Sequence, residues 1–151
     1  MPPAVFLIIL CAACFFALWK GGTPERLVAG VLLTGVALSM TFRFSYQSSF
    51  GAINIGVWIA DIAVLLALTA VALNAERYWT IWIASFQWVQ VVSHLPELLI
   101  PELLPRAHWV IISLWVYPML IILVIGTWRH VNRTEVHGTD RSWSDFSQLQ
   151  G

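Results

Sequence analysis

The chain has 151 residues, of which 59% are hydrophobic and 11% charged, and its mean hydropathy is +0.78. A soluble domain carries about 25% charged and about 45–50% apolar residues, so this composition cannot cover a water-facing surface and indicates a membrane protein. Eight Lys and Arg balance eight Asp and Glu, which excludes the basic field on which nucleic-acid binding depends.

Backbone groups in lipid must be satisfied internally, so each long apolar run is expected to be an α-helix of about 20 residues. The first run covers about 4–19. Its opening, MPPAVFLIILCAAC, has no positively charged n-region, so it reads as a retained span and not a cleaved signal. Cys11 and Cys14 form C-x-x-C in the body of this run. With no cation nearby to stabilise a thiolate, they read as inert packing residues.

After KGGTPER, the second run covers about 26–42. Thr23, Pro24 and Glu25 form an ordinary helix start, with the acid against the positive helix end. Thr34, Ser39 and Thr41 supply polar groups, and Gly30 and Gly35 offer close helix approach.

The third run, about 52–73, carries Asp61 near its middle. A carboxyl group there costs several kcal/mol unless it is protonated, paired or wet, which makes it a functional candidate. NAERY follows as a loop, with Asn74 ending the helix before Glu76 and Arg77. The fourth run, about 77–95, is the most polar. Gln87, Gln90 and His94 recur at spacings of three and four, so they share one helix face. Depth matching brings Asp61 level with Gln87. The expected result is a polar seam from Asp61 through Gln87 and Gln90 to His94, serving as interhelical glue or as a ligand or proton site.

The segment HLPELLIPELLPRAH repeats P-E-L-L. Pro96 and Pro101 suit first helical positions, and Glu97 and Glu102 follow where a helix start favours an anion. A short interfacial helix before the last span is expected here, as a cap that gathers Glu97, Glu102, Arg106 and His108 beside His94. Its glutamates are expected to pair with Arg106 or Arg43. No metal site is assigned, because Pro101 interrupts the convergence of ligands that a metal requires. Haem ligation by His94 and His108 is a distant alternative, and no cofactor is assigned.

The fifth run covers about 108–128, and a polar tail follows from Arg129. Of the nine tryptophans, Trp19, Trp79, Trp82, Trp109 and Trp128 fall near expected interfaces, where an aromatic belt accounts for them. Trp88 and Trp115 lie deeper and are expected to pack between helices. Five spans put Lys20, Arg26, Arg77, Arg129, Arg133 and Arg141 on one side, with Arg43 and Arg106 on the other. The positive-inside rule then places the carboxyl terminus in the cytoplasm and the amino terminus outside.

ERYWTIWIASFQW, SHL, LLPRAHW and WVYPMLIILVIGTWRH resemble small multi-span inner-membrane proteins of proteobacteria, over about the last half of the chain. That group has no assigned activity, so the resemblance implies a bacterial inner membrane and no chemistry. The expected fold is an all-α polytopic bundle of five transmembrane helices, residues 1–128, with a cytoplasmic tail over 129–151. No catalytic constellation is present in the sequence. The expected function is therefore a non-enzymatic accessory or scaffolding subunit, whose partners are the bilayer and other membrane subunits or itself. The alternative is a binding or translocation module for a small solute, proton or lipid-like ligand, centred on Asp61 and the Gln87/Gln90/His94 face.

Overall fold

The computed structural model describes the backbone of residues 3–45, 50–95 and 105–138, and the side chains of 4–42, 55–95, 114–136 and 138. Its elements are all α-helices: α1 (Pro3–Lys20), α2 (Thr23–Ser45), α3 (Phe50–Asn74), α4 (Tyr78–Val92) and α5 (Pro105–His137). The expected interfacial helix, with Glu97 and Glu102, lies outside the described residues. So do the side chains of Arg43, Arg106, His108 and Trp109.

Each apolar run forms one helix, but the ends differ from the hydropathy limits. α4 stops at Val92, where the N–H groups of Ser93 and His94 turn back onto the carbonyls of Val89 (2.9 Å) and Val91 (3.3 Å). α5 continues well past the expected exit at residue 128. Beyond it, Thr134 Oγ1 donates to the His130 carbonyl at 2.9 Å and Arg133 Nε to the Arg129 carbonyl at 3.4 Å. Gly138 then ends the helix with φ +72° and its N–H on the Thr134 carbonyl at 3.0 Å, the left-handed stop that glycine favours. Hydropathy marks where a helix would leave lipid, not where its backbone hydrogen bonds end.

The short links at Gly21–Gly22 and Ala75–Arg77 make successive helices antiparallel neighbours. Each helix packs on the next, and α5 returns to α1 while also touching α2. The five helices thus form a closed bundle. Its interior holds Leu10, Cys14, Ala29, Leu68, Ile83, Met119 and Leu123. Its outer surface carries Ile8, Phe15, Leu66, Leu73 and Ile121, each more than half exposed. Large apolar side chains on the outer surface as well as in the interior are the arrangement that lipid, not water, permits.

Among the described residues, three segments are long and apolar enough to cross a membrane: Thr23–Phe42, Ile55–Asn74 and Leu114–Val136. α1 is a shorter apolar helix, and the 15 residues of α4 reach only about 22 Å, against a hydrocarbon core of about 30 Å.

Several expectations about packing change. Trp88 faces outward, whereas Trp115 stacks at 6.1 Å from Phe86. Gly35 does bring helices together, since a Cβ there would meet Val64 of α3 at 2.6 Å, but Gly30 faces open space. Thr34, Ser39 and Thr41 donate to carbonyls of their own helix four residues back and tie nothing across the bundle.

Candidate functional site

The four residues expected to form a seam do meet between α3 and α4. Gln90 Nε2 donates to Asp61 Oδ1 at 3.1 Å, and His94 Nε2 stands 3.6 Å from Asp61 Oδ2. Gln87 makes a different contact from the one expected: its amide donates to the backbone carbonyl of Asp61, at 3.2 Å, and not to the carboxyl group. Asp61, Gln87, Gln90 and His94 are all buried. They meet because α3 and α4 are antiparallel, Gln87 and Gln90 share one stripe of α4, and the turn that ends α4 brings His94 back over that stripe.

His94 is fixed by the end of its helix. Its Nδ1 lies 3.0 Å from the Gln90 carbonyl. A carbonyl has no proton to give, so Nδ1 carries one. Nε2 is then the nitrogen that faces the carboxyl group, and in the neutral pair one proton resides either on Asp61 or on Nε2. A nearby tie holds the frame: the Trp58 indole N–H donates to the Val91 carbonyl at 3.2 Å, an acceptor it shares with the His94 N–H where α4 ends.

Both ring nitrogens of His94 are therefore engaged within the bundle, and haem ligation would require the ring to turn out of its site. Among the described residues no group of three His, Cys, Asp or Glu side chains converges as a metal site. Cys11 is exposed and Cys14 buried, both as free thiols.

A second polar cluster, read from sequence as an ordinary helix boundary, lies at the opposite end. Glu25 of α2 and Arg77 before α4 form an ion pair at 3.4 Å, with both side chains essentially inaccessible. Arg77 Nη2 also lies 3.3 Å from His130 Nδ1 on α5. Gly22 lets the three approach, since a Cβ there would stand 2.9 Å from the His130 ring and 3.1 Å from Glu25 Oε2. Thr80 Oγ1 secures the corner by donating to the Arg77 carbonyl at 2.6 Å.

One signal could have found this cluster. An acid opening the second span, a base opening the fourth and a histidine closing the fifth fall at one end of any five-helix up–down bundle. Comparison with protein-family models, curated proteins and solved structures found no match.

Proposed function

We propose that the chain is a five-pass, non-enzymatic protein of the bacterial inner membrane, with its amino terminus outside, in which the Asp61–His94 pair takes up and releases a proton. The observation that carries this reading is the pair itself: a carboxyl group 3.6 Å from an imidazole nitrogen, with the other ring nitrogen committed to a carbonyl. Ser or Asn would tie helices together at less cost than an ionisable pair held away from water. The clustering of Lys20, Arg26, Arg77, Arg129 and Arg133 at the end where α2 and α4 begin supports a cytoplasmic position for that end.

The test is pH-difference infrared spectroscopy of the protein reconstituted in vesicles. A carboxyl band that changes with pH and shifts in D2O should be present in the wild type, absent in Asp61→Asn and displaced in His94→Gln. Spectra of wild type and Asp61→Asn that coincide in the carboxyl region would show that Asp61 exchanges no proton.

A second reading, an accessory or scaffolding subunit, is favoured by the Gln87 and Trp58 contacts. Both are bonds to backbone carbonyls that hold helices together without chemistry, and such bonds average about 0.6 kcal/mol in membranes. On this reading Asp61→Asn is neutral or mildly stabilising, and purification in mild detergent yields stoichiometric partner subunits.

A further inference from the structure

We infer that the arginine-rich end of the bundle, between the first turn of α4 and the face of α5, binds the phosphate group of an anionic phospholipid. This rests on the membrane reading but not on proton exchange at Asp61. A cavity of about 240 Å³ lies there, with Arg77, Arg129 and Arg133 on its polar side and Trp79, Ile122 and Ile125 on its apolar side. Glu76 also lines it.

Charge complementarity supports a phosphodiester. Arg77 is paired with Glu25, and among the described side chains that line the cavity Arg129 and Arg133 against Glu76 give a formal charge of +1. The positive end of α4 adds to it by about half a charge, and no side chain caps that end. A phosphodiester carries a single negative charge, and arginine forks match its oxygens.

Size and position favour a lipid over a free solute. Sites that enclose a whole small molecule occupy about 300–1,000 Å³, more than this cavity offers, whereas a lipid needs to insert only its headgroup. One turn deeper along α5, Ile121 and Ile125 are exposed and offer an acyl chain a surface continuous with the cavity wall. Trp82 and Trp128 expose their rings at the same end, as aromatic residues do at the level of lipid headgroups. Basic pockets at helix ends on the cytoplasmic side are suited to such headgroups.

The experiment is native mass spectrometry of the full chain from nanodiscs containing equal phosphatidylglycerol and phosphatidylcholine. Phosphatidylglycerol should be retained over phosphatidylcholine by about tenfold or more, each surface arginine contributing on the order of fivefold. Arg129→Gln/Arg133→Gln should abolish the preference. Lys20→Gln, which removes an exposed cation at the same end, should leave it within about twofold. Asp61→Asn should also retain it, which separates this site from the proton reading.

Circular dichroism should show each variant to be folded. If the double variant is not folded, Arg129→Glu alone, at an exposed position, should reverse the preference. No preference in the wild type, or equal losses in Lys20→Gln and the double variant, would overturn the site. Stabilisation by inorganic phosphate that matches that by phosphatidylglycerol would assign the cavity to a free anion and overturn the lipid reading.

Discussion

Replacing Arg77 by Met tests whether the Glu25–Arg77 pair holds three helices together. The two side chains are 1% and 0% exposed, with nitrogen and oxygen 3.4 Å apart. At an effective dielectric constant of about 20, that separation corresponds to an attraction of about 5 kcal/mol. Desolvating the two charges costs a comparable amount, so the pair adds little relative to an apolar pair of the same shape. Removing one partner is different, because the Glu25 carboxylate then remains buried without its countercharge. Arg77→Met should therefore destabilise by about 3–5 kcal/mol, whereas Glu25→Gln/Arg77→Met should cost clearly less than the two single changes combined. The assay is reversible unfolding in mixed micelles, followed by far-ultraviolet circular dichroism. A loss below about 1 kcal/mol in Arg77→Met, or single effects that add to the double within about 0.5 kcal/mol, would refute the argument.

Three further outcomes are expected. Cys11→Ala should change thermal unfolding by less than about 0.5 kcal/mol, while Cys14→Leu, at a fully buried position, should cost about 1–3 kcal/mol by overpacking. Trp58→Phe should lower stability by about 1 kcal/mol through loss of its bond to the Val91 carbonyl and leave the Asp61 infrared band in place. A topology reporter fused after Gly151 should read cytoplasmic and one inserted at residue 100 extracytoplasmic; both on one side would remove a span.

The helices were readable in the sequence because lipid permits little else: an apolar run must satisfy its own backbone. The seam was readable because Asp61 is conspicuous in an apolar run and Gln87, Gln90 and His94 repeat at helical spacing. What could not be read was which atom meets which. The Gln87 amide reaches a backbone carbonyl, and backbone acceptors leave no mark in sequence. Glu25, Arg77 and His130 were overlooked for a different reason. Charged residues next to Gly and Pro at span ends are common, and only the closure of α5 onto its neighbours turns three such residues into a buried cluster. The nine tryptophans divided in the same way, since hydropathy gives a ring its depth while only packing shows whether it faces inward, as Trp115 does, or outward, as Trp88 does.

The positions of the two clusters limit what the bundle can do. Arg77 and Gln87 lie ten residues apart in the chain, nearly the whole of that interval on α4, so they are separated by about 15 Å. Ile83 is fully buried between them. The contacts of Arg77 with His130 and of Trp79 with Gly126 set the register of α5 against α4, and that register brings Leu123 level with Ile83. Leu68 of α3 completes the layer, since Asp61 meets Gln87 and Gln90 and seven residues further along α3 corresponds to two turns back along α4. Leu68, Ile83 and Leu123 are each at most 1% exposed. Buried apolar side chains at that density offer no hydrogen-bond partner and no room for a water molecule without one. The described polar groups therefore form two separate clusters and not a path through the bundle. On the proton reading proposed above, Asp61 and His94 would exchange toward the end where α4 terminates, which is why the proposal is uptake and release at one face and not conduction between the two.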